Sequence, residues 1–350
     1  MKTKLLLPIL FLVFIFRFFP QEFTVAVIPD SQYYTYYYYQ NRLWNKFPEN
    51  LETLFYKQIE YIKENSVTNN GDIVFAIHLG DIVDHESTFM EEWLMAEKGM
   101  SILDNVIPFG IVPGNHDYDK IFNSWNKDYN HKNRGLLFND FFGPESHHFR
   151  NKEWYLDSFD DGMNQCICFD VEGKKFLFFG LELEPSDYTL FWVQKLLDEN
   201  KKIPTIIAIH TYLQLDGTLN DVRYRNESYG NDSSALWEKL ISCNDQIIFI
   251  VCGHICDENN GECLRIQENK YGNNVYAMLS DYQSRNEWFD RNSVDGNKGA
   301  LGDGWLRLLH FNIEQNEVVV KTYSTEFNEY ETDENSEFSL YIDFHERFGY

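Results

Sequence analysis

Five short apolar runs in this chain each stop at side chains able to hold a cation or move a proton, and that repeated ending constrains the fold more than any other feature. Phe23 to Pro29 stops at Asp30-Ser31-Gln32, Ile73 to Gly80 at Asp81-Ile82-Val83-Asp84, and Phe109 to Gly114 at Asn115-His116-Asp117. Thr205 to Ile209 stops at His210, and Gln246 to Gly253 at His254. Apolar runs this short, bounded by turn residues, read as strands covered on both faces. Between the first three, Leu51, Leu54, Phe55, Ile59 and Ile62, and then Phe89, Trp93, Ala96, Met100 and Leu103, keep the i, i+3, i+4 spacing of amphipathic helices. Strand, helix, strand, helix, strand predicts an α/β sheet. In such sheets the loops beyond the carboxyl ends of the strands converge on one rim, where ligands bind.

The rest of the chain reads less regularly. Residues 118–163 are polar and aromatic and are expected to form a long connection, with a helix over Leu136 to Phe142 and with His147 and His148 on a surface loop. Ile167–Val171 and Lys175–Gly180 read as a hairpin turning at Gly173. A helix is expected around Leu190 to Leu197, and another capped by Ser233 or Ser234 and running through Leu240. Val275–Leu279, Trp305–Phe311, Glu317–Tyr323 and Phe338–Phe344 then follow as strand-like runs without helices between them. Residues 22–350 are expected to form one domain, its part 264–350 rich in β-structure.

Lys2 and Lys4 precede an apolar run from Leu5 to Phe19, broken by Pro8 and Arg17, which is the shape of a signal peptide. The run is shorter than the roughly 20 residues that cross a bilayer. Residues 1–21 are therefore expected to be a cleaved signal, with an uncleaved anchor as the alternative, and the mature chain is expected to carry no integral membrane span. The expected setting is outside the cell or in the lumen of the secretory pathway. There, Asn226-Glu227-Ser228 and Asn231-Asp232-Ser233 would be glycosylation sequons, and the six cysteines could pair. Acidic side chains outnumber basic ones 55 to 30, and the resulting net charge of −25 argues against nucleic-acid binding as the main role.

Singly, Asp30 and Asp81 read as helix caps, and His210 and His254 as hydrogen-bonded structural histidines. Jointly they supply hard oxygen donors and imidazoles, a set suited to manganese, iron or zinc. In order, Asp30-x-Gln32, Gly80-Asp81-x-x-Asp84, Gly114-Asn115-His116-Asp117, His210 and Gly253-His254-x-Cys256 resemble the five blocks of the calcineurin-like metallophosphoesterases. They span residues 30–256. Leu279-Ser280-Asp281-Tyr282-Gln283 and Gly304-Trp305-Leu306-Arg307 are similar to extensions of some secreted members.

The resemblance implies a four-layer α/β/β/α sandwich of two mixed β-sheets flanked by helices, with two divalent metal ions at the strand ends. Asp30, Gln32 and Asp81 would hold the first ion. Asp81 would bridge to the second, completed by Asn115, His210 and His254. A hydroxide between the ions would attack a phosphate ester, His116 would protonate the leaving oxygen, and Asp117 would hold the His116 tautomer. Asp84 would orient a ligand or cap the following helix. Tyr33, first of the run Tyr33 to Tyr39, is placed to reach substrate, with a packed aromatic loop as the equal alternative. His78, on a core strand, is expected to be structural.

Gln32 and Cys256 stand where the family usually has histidine, and both changes fall on the first ion. A neutral amide oxygen binds transition metals less well than imidazole, so an asymmetric pair is expected, the second site tight and the first weak. Cys256 either restores that site as a thiolate or pairs with Cys263 or Cys252, and the disulfide is the favoured reading. The implied activity is hydrolysis of phosphate esters, with phosphomonoesters favoured. The alternatives are a phosphodiesterase of nucleotides or lipid headgroups, and a catalytically weakened protein that binds a phosphate ligand or a partner.

Overall fold

Strands buried on both faces must divide their side chains between two cores, and this division builds the molecule. The computed structural model describes residues 22–35, 50–85, 89–118, 136–222, 230–257, 260–292 and 302–350. The signal-like segment 1–21, Tyr36 to Tyr39 and the sequon at Asn226 lie outside the described residues. Along the chain the strands are β1 (Glu22–Ile28), β2 (Ile73–His78), β3 (Phe109–Ile111), β4 (Tyr155–Phe159), β5 (Asn164–Val171), β6 (Lys174–Leu181) and β7 (Thr205–Ile209). They continue with β8 (Ile247–Cys252), β9 (Glu262–Glu268), β10 (Asn274–Ser280), β11 (Trp305–Asn312), β12 (Glu317–Ser324), β13 (Glu329–Glu331) and β14 (Phe338–Tyr341).

One sheet runs β13-β12-β11-β1-β2-β3, with β14 also on β12, and the other runs β4-β5-β6-β7-β8-β10-β9. Both are mixed. β1, β2 and β3 are parallel while β11 joins β1 antiparallel, and β6, β7, β8 and β10 are parallel with antiparallel strands at both edges. Alternate side chains of β1 separate cleanly. Phe23, Val25 and Val27 enter the core between the sheets, beside Phe75, Phe178, Phe249 and Phe311. Ala26 and Ile28 face the opposite way, onto Leu54, Phe55, Ile59 and Trp93 of the Glu52–Glu64 and Met90–Met100 helices. On the outer face of the second sheet, Leu177, Phe179 and Ile207 pack on Leu190, Val193 and Leu197 of the Asp187–Glu199 helix. The layers are therefore helix, sheet, sheet, helix, as expected. Burying an aliphatic or aromatic side chain is worth roughly 1.5–3 kcal/mol, so the period-two division is strongly enforced.

Several elements depart from the expectations. β4, β9 and β13 had no apolar signature, and all three are edge strands with half-solvated side chains. The run expected to extend to Phe344 ends at Tyr341, where Asp343 caps a short Phe344–Phe348 helix by accepting from Glu346 N. His148 is not on the surface: it is fully buried and stacked on Phe142, while His147 beside it is half exposed. At the second sequon the Asn231 amide is buried, and its Nδ2 donates to Pro185 O at 2.9 Å and Asp187 Oδ1 at 3.0 Å. The nitrogen that would carry a glycan is thus already engaged. No helix among the described residues is long and apolar enough to cross a membrane.

Candidate metal centre

β1, β2, β3, β7 and β8 all deliver their following residues to one rim, and the rim loops are tied together before any side chain is considered. Ser31 N donates to Asp81 O at 3.1 Å, and Gly253 N to His210 O at 3.0 Å. Side chains then lock the backbone. His254 N donates to Asp30 Oδ2 at 3.1 Å, and His116 N to Asp81 Oδ1 at 2.8 Å. Close approach explains two glycines, since a Cβ at Gly114 would lie 2.1 Å from Asp81 Oδ1, and one at Gly253 2.1 Å from Asp30 Oδ1. Asp81 and His254 have left-handed backbone (φ 48° and 72°), a strain typical of residues held for function.

His210 is fully buried, and its Nδ1 lies 2.8 Å from the Leu79 carbonyl. A carbonyl can only accept, so Nδ1 carries the proton and Nε2 turns toward the rim. Nε2 there meets Asp81 Oδ2 at 3.2 Å and Asn115 Oδ1 at 3.1 Å. Three lone-pair atoms facing one another repel unless a proton or a cation lies among them. Ligand atoms of Asp81, His210 and His254 all fall within 4.8 Å of one another. The His254 ring stands edge-on to His210 with centroids 4.9 Å apart. Burial and the neighbouring imidazole push the His254 pKa down to about 3, which leaves that ring neutral and able to coordinate. On the other side, Asp30 Oδ1 and Gln32 Oε1 are buried without a hydrogen-bond partner, while Gln32 Nε2 donates to Asp81 Oδ2 at 3.3 Å.

Electrostatics point the same way. Burial, then the Asp281 and Asp81 carboxylates, hold the Asp30 carboxyl well above the ordinary range. Burial and Asp81 push Asp117 up to about 7, and burial pushes Asp281 up to about 6. Asp81 alone is held below its usual value: burial opposes ionisation, but the imidazoles of His210, His116 and His254 outweigh it. Buried carboxylates that repel one another, with orphaned oxygens among them, suit divalent cations. The residues present therefore fit divalent cations: Asp81, His210 and His254 form one candidate ligand group, with Asn115 beside it, and the unpartnered Asp30 and Gln32 oxygens lie on the other side of Asp81.

His116 is half-buried at the rim. Its Nδ1 lies 2.9 Å from the Asp84 carbonyl and 3.4 Å from Asp84 Oδ1. Burial disfavours the imidazolium, but Asp81 and Asp84 more than compensate and raise the pKa to about 9. Asp84, rather than Asp117, thus holds this ring. The expected tautomer role of Asp117 is not what the structure places there: its carboxylate accepts from Ile82 N, Val83 N and Gly114 N at 2.8–3.3 Å. It laces the loop after β2 to the turn after β3. Glu92 in turn accepts from Asp84 N at 3.0 Å and His85 N at 2.8 Å.

The expected disulfide is absent, and all six cysteines are free thiols. Cys252 and Cys263 flank the same residue, Leu279, on opposite sides. Two strand spacings of about 4.8 Å separate them, too far for a disulfide to span. Cys256 Sγ lies 3.1 Å from Ser284 Oγ. Burial and then Asp281 raise its pKa far above the ordinary thiol range, which disfavours a thiolate ligand. Tyr33 is half-buried beside Gln32, and the Tyr34 hydroxyl accepts from Gly304 N at 3.2 Å. His78 is structural as expected: Gly80 N donates to its Nδ1, and its Nε2 meets Ser31 Oγ at 3.0 Å.

Asp281 lies outside the residues expected at the centre, although it belongs to the Leu279–Gln283 stretch. It follows β10 and is fully buried, and it accepts from Gln283 N at 3.1 Å and Gln283 Nε2 at 3.2 Å. Its signal was the same as the other five: an apolar run, Val275 to Leu279, that ends in Ser280-Asp281.

A family model described as calcineurin-like phosphoesterase matches residues 23–258. The chain is also similar to a protein of Bacillus subtilis (strain 168) described as uncharacterized protein YvnB, 27% identical over 338 residues. That alignment covers 92% of this chain and 22% of the relative, so the chain spans about a fifth of the relative's length.

Proposed function

The chain belongs to the calcineurin-like phosphoesterase family, and from that premise we propose that it is a metal-dependent phosphatase acting on phosphomonoesters. The placing of Asp81 Oδ2 at 3.2 Å and Asn115 Oδ1 at 3.1 Å from His210 Nε2, on a ring whose other nitrogen is committed to the Leu79 carbonyl, carries this reading. When bound, two divalent cations supply a positive field at the phosphoryl group and lower the pKa of the attacking water. Asp30, Gln32 and Asp81 would hold one, and Asp81, Asn115, His210 and His254 the other. His116, its Nδ1 proton committed to Asp84, presents Nε2 to the leaving oxygen and protonates it as the ester bond breaks. Asp84 and Asp117 touch no substrate in this scheme; they position His116 and Asp81.

A monoester asks the rim to accommodate one esterified oxygen, at His116, whereas a diester also needs space for a second ester arm beside the cations. Purified protein reconstituted with manganese should hydrolyse para-nitrophenyl phosphate with a higher kcat/KM than bis(para-nitrophenyl) phosphate. The reverse order would make it a diesterase, and no turnover of either would leave a phosphate-binding protein.

A further inference from the structure

A second group of metal-binding side chains lies away from the rim. Glu97 in the last turn of the Met90–Met100 helix, Asp104 just after it, and His147-His148 after the Leu136–Phe142 helix come together. The buried His148 ring touches Phe109, which opens β3, whereas Asn115 and His116 follow that strand's end. We propose that Glu97, Asp104, His147 and His148 form a structural divalent-cation site of zinc type, separate from the strand-end centre.

Geometry is the first argument. A tetrahedral zinc with bonds of about 2.0–2.1 Å has ligand–ligand edges of about 3.3–3.4 Å. His147 Nε2 lies 3.4 Å from Glu97 Oε1 and 3.2 Å from Asp104 Oδ2. One ligand atom each from Glu97, His147 and His148 falls within 4.8 Å of the others, and His148 Nδ1 meets Asp104 Oδ1 at 2.8 Å. The two imidazoles are themselves in contact, centroids 3.9 Å apart. Glu97 Oε1 also accepts from Ser101 Oγ at 3.3 Å, and among the described residues no Lys or Arg pairs with Glu97 or Asp104. A dication balances two carboxylates and takes two neutral nitrogens as ligands.

Burial is the second. His148 is enclosed by Phe109, Phe142 and Phe149, and its Nε2 has no hydrogen-bond partner. Phenyl rings enclose the Nε2 side, and Nδ1 faces the carboxylate cluster, hydrogen-bonded to Asp104 Oδ1 at 2.8 Å, where a bound cation would take the place of the shared proton. A cation there would staple the turn at residues 143–150 to the helix end at Glu97.

The test uses the full chain, dialysed against zinc chloride and then against zinc-free buffer, with zinc per chain measured by elemental analysis. His147 is half exposed, so His147→Ala should fold, and Glu97→Gln provides an independent variant. Each is expected to carry one zinc fewer than wild type, to gain less in Tm on zinc addition, and to hydrolyse substrate as wild type does. Equal zinc content in all three proteins would overturn the proposal. Loss of metal from the strand-end centre would lower all three counts alike, so failure of the phosphatase reading leaves the difference readable.

Discussion

At residue scale, His116 and Cys256 mark what this site retains and what it has changed. His116 has a committed Nδ1 and an acidic surround, so His116→Asn should lower kcat by about 10²- to 10⁴-fold. Metal content, checked by elemental analysis, should hold, because no ligand atom is lost; an unchanged kcat would remove His116 from the proton-donor role. Cys256 turns to Ser284 and leaves the Asp30 side without an imidazole. Cys256→His should therefore tighten the weaker of two manganese sites in a calorimetric titration while leaving the tighter one in place. Two equally tight sites in the wild type would contradict the asymmetry itself. The residue types were legible because aspartate, asparagine and histidine recur at strand ends. Their second nitrogens and oxygens were not: that Asp84 rather than Asp117 holds His116, and that Leu79 holds His210, depends on atoms far apart in the chain.

At the scale of elements, the centre depends on how closely strand-end loops can approach. Gly253 has no side chain because Asp30 Oδ1 occupies the space. Gly253→Ala should displace that carboxylate and weaken binding at the Asp30 side, with a stability cost of roughly 1–3 kcal/mol from overpacking. Urea unfolding and a manganese titration on the same preparation separate the two effects, and wild-type affinity would show that Asp30 is not a ligand. Interior strands and their helices were legible, since both faces of β1, β2, β6, β7 and β8 must be apolar. Edge strands β4, β9 and β13 were not, because half their side chains meet water and carry no periodic signal.

Across the whole molecule, a buried ion cluster joins the two sheets. Glu262 of β9 accepts from Arg307 Nη2 of β11 at 2.5 Å and from Tyr282 Oη at 2.7 Å, and Arg285 and Ser336 also reach it. Tyr282 adjoins Asp281, so the same cluster anchors the loop that brings Asp281 toward Asp30. Burial opposes the Glu262 charge, but Arg307 and its other partners outweigh this and hold the pKa below the ordinary value of 4.5. A depressed folded-state pKa contributes stability above about pH 4.5 that is lost as pH falls through the folded value. Arg307→Met should cost about 3–5 kcal/mol at pH 7 by removing the nearer of the two guanidinium partners of buried Glu262. Because buried Glu262 without Arg307 takes up its proton more readily, the deficit should shrink in urea melts as pH falls toward 4. A deficit independent of pH would assign the loss to packing instead. Five strand ends, their ligand types and the alternation of helix with strand were determined by the sequence alone, because each is written in neighbouring residues. The tertiary structure decided the partners of His116, the position of Asp281, the free thiol at Cys256 and the meeting of Glu97 with His147 and His148. Each of these joins residues dozens to hundreds of positions apart, and only the packing of two sheets determines which of them meet.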